Sequence, residues 1–363
     1  MRALINGSVQ RDDGFRGLFD DDEYAEVRAF FEGRRHLQPS PLRSLPHLAA
    51  AARIRHVDAK DETQRFGLNA FKIVGVSYAA HKLGPSAAAR GFTCATAGNH
   101  GRAVAHVARQ MGVPCTVFVP APARELRPAE ARTRAGRRGA MREDGADVVE
   151  IGGTYEEAVE RAAAHGRASG ATVLSDTSWD GYEEIPRWIM AGYTRVFDEA
   201  SAQWEMPPQL VIVQAGVGGL VCAAASWFAS KYGERRPYLI SCEPDGAACL
   251  LESARTGRAS TVPGDLDTIM AGLRCATPSP VAWSTILGGV DAFITISDAQ
   301  ALEAMQALAA DVELPLRVEV GPSGVCGAAA LIALGSAPEF VHVRHAARLD
   351  RSTGALIVLT EGA

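Results

Sequence analysis

Gln209–Gly233 reads QLVIVQAGVGGLVCAAASWFASKYG. Leu210–Val213 is an apolar, β-branched run, Gly216–Gly219 is a glycine turn, and an apolar helix follows. The next run, PYLISCEPDGA at 237–247, is again a strand. Strand, helix and strand in this order predict a parallel sheet covered by helices. The glycines let the backbone turn tightly and bring several N–H groups onto a phosphate, and the helix N-terminus adds about half a positive charge. The match to G-x-G-x-x-G is incomplete, because Val221 stands where the third glycine belongs. Glu243 ends the next strand, where a ribose-binding acid would sit. This segment alone is therefore compatible with one phosphate, with a nicotinamide cofactor, or with a turn that binds nothing, and a single phosphate is easier to fit than a pyrophosphate.

The same alternation extends in both directions. GFTCATAGNHGRAVAHVARQMG (91–112) is a strand, a glycine turn and an amphipathic helix. PCTVFVPA (114–121), ADVVEIG (146–152) and ATVLSDT (171–177) are further strands, and Thr154 is a plausible N-cap for the helix of TYEEAVERAAAHG. Pro186–Glu199 reads as a helix crossing between lobes, and DAFITISDAQALEAMQALAADV (291–312) as a strand followed by a helix. RVEVGPSGVCGAAALIALG (317–335) reads as strand, turn and helix, and GALIVLTEGA (354–363) as a closing strand. Residues 1–40 are polar and charged, with one helix expected around Tyr24–Glu32, and three prolines in 39–54 break any long helix. IRHVDAKDET (54–63) is a short strand, and Asn69–His81 reads as a helix.

The chain has 363 residues, so two lobes are expected. It is 47% hydrophobic with 36 glycines, which suits an α/β protein with a large core. Net charge of −5 and a pI of about 6.0 argue against a nucleic-acid partner. Arg124–Arg142 is arginine-rich, but Glu125, Glu130 and Glu143 interleave, as on a solvated helix face. The 7 cysteines include no CxxC and sit mostly in apolar contexts, so buried thiols in a reducing cytoplasm are expected. MRALINGSVQRDDGF has no apolar signal core, and no run of about 18 apolar residues occurs, so no membrane association is expected. His342 and His345 lack further ligands around them, and no metal site is expected.

RFGLNAFKIVG, residues 65–75, carries Lys72 in a mostly apolar run. Lysine is rare here: Lys60, Lys72, Lys82 and Lys231 are set against 37 basic residues in all. An amine that can lose its proton is something arginine cannot supply. A phosphate cradle together with such a lysine in another lobe suggests an aldehyde cofactor with a phosphate tail. Pyridoxal phosphate needs a neutral amine to form a Schiff base. ATAGNHGRA (95–103) lies where a strand gives way to a helix, a place where ligands bind in such sheets. Its His100 reads as a helix-start residue with a structural hydrogen bond more readily than as a catalytic one.

KDETQRFGLNAFK, ATAGNHGRAVA, AGVGGL and LTEG together resemble the tryptophan-synthase-like (fold type II) pyridoxal-phosphate enzymes. RFGLNAFK, SDTSWDGYEEIPRWIMAGY, EPDGAACLLESARTG and DTIMAGLRCATPSPVAW are similar to the blocks of the diaminopropionate ammonia-lyase family, in that family's order. The resemblance spans roughly Pro39 to Gly362. It implies two lobes with mainly parallel twisted sheets covered by helices and the cofactor in the cleft between them. Residues 1–76 with 190–363 would form the larger, cofactor-binding lobe, and 77–189 a smaller mobile one.

The resemblance also implies roles. Lys72 matches the Schiff-base lysine, and Asn99 the asparagine that bonds the cofactor's phenolic oxygen. Gly216, Val217, Gly218 and Gly219 match the phosphate loop. Thr360 stands beside the expected place of the pyridine nitrogen. Asp176 matches an acid that handles the substrate, and Thr96 and Ser323 lie at substrate-binding positions. The implied reaction is α,β-elimination of ammonia from 2,3-diaminopropionate, giving pyruvate through aminoacrylate, in a cytoplasmic homodimer that acts on a small amino acid. Ala97 stands where the family has the aspartate that takes the α-proton from the D-isomer, so the L-isomer is expected to be preferred. A serine or threonine dehydratase and a β-replacement synthase are the alternatives within the class. A nicotinamide-dependent oxidoreductase and a non-catalytic homologue are the alternatives outside it.

Overall fold

The computed structural model describes residues 2–12, 14–122, 125–310 and 319–362. Its strands are β1 (Ala3–Ile5), β2 (Leu42–Ser44), β3 (His56–Asp61), β4 (Phe92–Ala95), β5 (Cys115–Pro120), β6 (Asp147–Ile151), β7 (Thr172–Val173), β8 (Leu210–Gln214), β9 (Tyr238–Pro244), β10 (Ala292–Ile296) and β11 (Gly354–Leu359). The chain divides into two compact units, one of Met1–Phe71 with Tyr193–Ala363, the other of Lys72–Gly192.

The first unit holds a 7-stranded sheet in the order β1-β10-β9-β8-β11-β3-β2. Its interior pairings are parallel, and only β1 and β2, at the two edges, run antiparallel to their neighbours. Register places Leu210, Tyr238 and Ala355 side by side, and likewise Ile212, Ile240 and Ile357. Ile212, Ile240, Ile294 and Ile357 pack with Ala328 and Leu331 of the helix Cys326–Ser336 on one face. The alternate residues Val211, Val213, Phe293, Leu356 and Val358 are also fully buried. A sheet covered on both faces cannot alternate polar and apolar residues, which is why these strands read as continuous apolar runs. Every residue of the helix Gly219–Tyr232 is buried from Gly219 to Ala229.

The second unit holds a 4-stranded parallel sheet in the order β6-β5-β4-β7. Thr154 caps the helix Tyr155–Ser169, accepting the Glu157 N–H while Glu157 reaches back to the cap. Helices Lys72–Ala88 and Glu184–Ser201 approach closely at Gly75 and Gly192, where a Cβ on Gly192 would stand 2.8 Å from the Gly75 Cα.

Several sequence expectations are corrected. The helix foreseen at Asn69–His81 begins at Lys72, because Asn69–Phe71 pair with the C-terminal segment instead. Phe71 N donates to Thr360 O at 3.1 Å and Gly362 N to Asn69 O at 2.9 Å. The same helix runs on to Ala88 but breaks at Gly84, which has φ +71°, ahead of Pro85. In ATVLSDT only Thr172–Val173 pairs as strand, because Ser175 turns the chain through its own hydroxyl, bonded to the Thr177 carbonyl at 3.1 Å. In RVEV, Arg317 and Val318 lie outside the described residues, and Val320 makes a single bridge to Gly362. Asp311 and Val312, expected in the preceding helix, also lie outside them, as does Arg124. The edge strands β1 and β2 were not foreseen, since three residues are too few for a period to show.

A charge network lies inside the first unit. Arg65 grips Glu199 with two parallel bonds of 2.6 and 2.7 Å. Lys60 Nζ stands 3.0 Å from Glu199 and donates to Ser40 O at 2.6 Å. Arg195 adds a third cation, 3.0 Å from Glu199, and Glu62 a second carboxylate, 3.4 Å from Arg65. Lys60, Glu62, Arg65 and Glu199 are all buried. Burial pushes the Lys60 amine below its ordinary pKa, against the pull of Glu199. Removing one partner from such a network costs about 3–5 kcal/mol, because the remaining charges stay buried without compensation. The network fastens the Arg65–Leu68 turn that leads into Lys72.

Candidate active site

The second unit places Lys72 at the first residue of its helix. Its Nζ donates to Asp176 Oδ2 at 2.5 Å, and the two side chains are 22% and 17% exposed. Of the other lysines, Lys60 is committed to Glu199 and Ser40, and Lys82 and Lys231 are exposed. Lys72 is thus the lysine that is sheltered yet accessible. Burial raises the pKa of Asp176, but the charge of the Lys72 ammonium and its hydrogen bond outweigh it, holding the carboxyl well below the usual carboxylate range. His100 Nε2 bonds Leu174 O at 2.8 Å, the structural bond expected of it, and its Nδ1 lies 3.8 Å from Asp176 Oδ2.

Asp176 sits in a loop that closes on itself. Tyr182 Oη donates to Val173 O at 2.7 Å and accepts the Ser175 N–H at 3.0 Å. Its ring stacks on Trp179 with centroids 4.1 Å apart. Asn99 opens the helix Asn99–Met111, and Thr96 Oγ1 accepts the Gly98 N–H at 3.0 Å in the turn before it. Ala97 lies between them, partly exposed.

In the first unit, Gly216–Gly219 link β8 to the helix Gly219–Tyr232. Gly218 has φ +97°, and a Cβ there would stand 2.5 Å from Ile286 Cδ1. A Cβ on Gly216 would stand 2.9 Å from Cys275 Sγ. Gly218 therefore requires glycine, and a side chain at Gly216 would have to displace the Cys275 thiol. Among the described residues, the N–H groups of Gly216, Val217, Gly218 and Gly219 find no backbone acceptor outside the helix itself. This is a row of donors at a helix N-terminus, the arrangement that receives a phosphate.

Thr360 is buried at the end of β11, and its Oγ1 accepts from Gln214 Nε2 at 2.9 Å. The same nitrogen faces Val358 O at 2.9 Å, Gly324 O at 3.1 Å and Ser323 O at 3.3 Å. Three carbonyl oxygens fix which end of the Gln214 amide is nitrogen, and so leave the Thr360 hydroxyl as an acceptor toward Gln214 with its own proton still to give. Ser323 Oγ accepts the Gly272 N–H at 3.0 Å. Gln214 therefore joins Thr360 and Ser323, a role hidden in the sequence because Gln214 looks like the polar end of a strand.

Glu243 does not stand as a ribose-binding acid. Its two oxygens accept the N–H groups of Leu250 and Leu251, each at 2.8 Å, and so cap the helix Cys249–Thr256. It is fully buried, and burial pushes its pKa up to about 8 against those hydrogen bonds. With the acid used internally and Val221 in the third glycine's place, the nicotinamide reading of this segment fails.

These features match one class of protein. The family model for pyridoxal-phosphate dependent enzymes covers residues 34–342. The diaminopropionate ammonia-lyase of Salmonella typhimurium is 34% identical over 99% of this chain and 90% of its own length. That of Escherichia coli is 31% identical over 95% and 89%. A crystal structure of the Escherichia coli enzyme, in complex with an aminoacrylate-PLP azomethine reaction intermediate, superposes with a TM-score of 0.87 at 29% identity, covering 99% of this chain and 93% of that one. The chain belongs to the diaminopropionate ammonia-lyase family of pyridoxal-phosphate dependent enzymes.

The residues fit the cofactor of that family. The glycine loop offers its N–H groups to a phosphate, and a side chain at Gly216 or Gly218 would fill space the fold already uses. The Thr360 hydroxyl has a proton to donate to an unprotonated ring nitrogen, and Lys72 offers a sheltered amine.

Proposed function

We propose that this chain eliminates ammonia from 2,3-diaminopropionate, with the L-isomer preferred, to give pyruvate. The observation that carries the reading is the Lys72–Asp176 pair at 2.5 Å, with Asp176 kept ionised beside the amine. Bound pyridoxal phosphate supplies an electron sink for the negative charge left when the α-proton is removed. Lys72 would carry the aldehyde carbon through Nζ and, once displaced by the substrate's α-amine, take the α-proton on the same nitrogen. Asp176 would hold the β-amine as a cation, which leaves as neutral ammonia far more readily than an unprotonated amine leaves as amide. A hydroxyl substrate offers that carboxylate no positive charge. Gly216–Gly219 would bind the phosphate, Asn99 the phenolic oxygen and Thr360 the ring nitrogen, the last as a donor, so that the ring stays unprotonated. Thr96 and Ser323 remain in the proposal as residues near the substrate.

The stereochemical part rests on Ala97, whose methyl group cannot accept a proton. The test is pyruvate formation from each isomer, in the unmodified protein and in Ala97→Asp. Product from the L-isomer, little from the D-isomer, and D-activity gained in Ala97→Asp are expected. Faster turnover of serine or threonine would overturn the substrate, and equal rates on both isomers would overturn the role of Ala97. A cytoplasmic location and a homodimer complete the proposal. No disulfide joins any of the seven cysteines, and Cys275 alone of them is not buried, as a reducing compartment permits. Sedimentation of the purified protein tests the dimer.

A further inference from the structure

His100 is more than the first turn of a helix. Leu174 O can only accept, so the ring nitrogen bonded to it at 2.8 Å, Nε2, carries the proton. In the neutral ring Nδ1 is then a bare acceptor. That atom is buried and has no hydrogen-bond partner. It lies 3.8 Å from Asp176 Oδ2, the same oxygen that receives Lys72 Nζ at 2.5 Å. Lys72, Asp176 and His100 thus meet at a single carboxylate oxygen. Closing the remaining gap by about 1 Å brings Nδ1 into hydrogen-bond range.

We propose that His100 Nδ1 receives, through Asp176, the proton that Lys72 Nζ must lose before it can bond to the aldehyde carbon of its cofactor. The inference rests on the reading that Lys72 is the cofactor-bearing lysine. The proton balance is closed. The ammonium of Lys72, the carboxylate of Asp176 and the neutral ring of His100 become a neutral amine, the same carboxylate and an imidazolium with both nitrogens protonated. Net charge of the three is unchanged, and Asp176 keeps a cationic partner throughout. The proton held on His100 is then available, by the same oxygen, to a β-amine that arrives uncharged.

The other ionisable groups that act on Asp176 do not compete. Cys94 and Tyr182 both interact with it, and burial pushes each of them up, so both are neutral near pH 7. Lys72 is the cation bonded to it.

The test measures how fast the cofactor-free full chain captures pyridoxal phosphate, by absorbance, across pH 6–9. His100→Gln keeps an amide donor for Leu174 O but has no titratable nitrogen. Unchanged thermal melting shows that the strut survives. We expect capture by His100→Gln to slow on the order of 10²-fold near pH 7 relative to the unmodified chain, and to recover as hydroxide rises. His100→Ala should be slow too and be restored by added imidazole. Capture by His100→Gln at the unmodified rate and pH profile would overturn the proposal and leave His100 a strut. Should neither variant fold, ¹⁵N-histidine spectra of the unmodified chain decide. An unprotonated Nδ1 at pH 7 is required, and a protonated one would contradict the proposal. Borohydride reduction separates the two levels: cofactor fixed away from Lys72 defeats the underlying reading, whereas cofactor on Lys72 with a normal His100→Gln defeats only the relay.

Discussion

The Tyr182 hydroxyl accepts the Ser175 N–H at 3.0 Å while donating to Val173 O at 2.7 Å, so one side chain from beyond Asp176 is tied twice to the segment just before it. Tyr182→Phe deprives that N–H and that carbonyl of this partner, at a cost of about 0.5–1.5 kcal/mol for each half-buried bond. We expect lower stability and, because Asp176 is no longer held, kcat/KM reduced about tenfold or more for 2,3-diaminopropionate. Denaturant melts and steady-state rates measured together check this. A destabilised variant with unchanged kcat/KM would show that the turn holds its shape without the hydroxyl.

Gly218→Val should weaken cofactor binding. The added Cβ meets Ile286 Cδ1 at 2.5 Å and must also sit at a φ of +97°. Each charge-assisted bond lost from the phosphate cradle costs about 1.5–3 kcal/mol. Absorbance titration with pyridoxal phosphate measures the change. An unaltered affinity would mean the loop serves the fold alone.

Glu243 makes stability depend on pH in a defined direction. Its carboxyl titrates near 8 in the folded chain, and near about 4.3 when unfolded. Between those values the folded state binds more protons than the unfolded state, so stability falls as pH rises through this window. Glu243→Gln lacks this contribution, and its melting should slope less steeply with pH. Denaturation midpoints from pH 5 to 8 for both proteins test the assignment, and parallel curves would contradict it.

Much of this was readable from particular residues. Leu210–Gln214 and Ala292–Ile296 announce themselves as buried strands because both faces are covered, and Thr154 declares its cap through Glu157. Lys72 stood out because the chain writes nearly all its other positive charges as arginine. What stayed hidden depends on partners distant in sequence. Leu4 becomes a strand residue only beside Phe293, and Asn69–Phe71 leave the helix only because Thr360–Gly362 pair with them. Gln214 and Tyr182 show no local pattern that marks them, since their roles come from carbonyls and amides that the fold brings to them. Glu243 misled because its spacing fits a ribose ligand as well as a helix cap, and only the Leu250 and Leu251 bonds distinguish the two.

The central claim is that Lys72 carries the cofactor of an ammonia-eliminating enzyme. Borohydride reduction of the purified, cofactor-loaded protein, followed by peptide mass spectrometry, tests it most directly. The account predicts a pyridoxyl group on the peptide containing Lys72 and on no other, and no such label in Lys72→Ala. Label on Lys60 or Lys82, or a colourless protein that takes none, would contradict it.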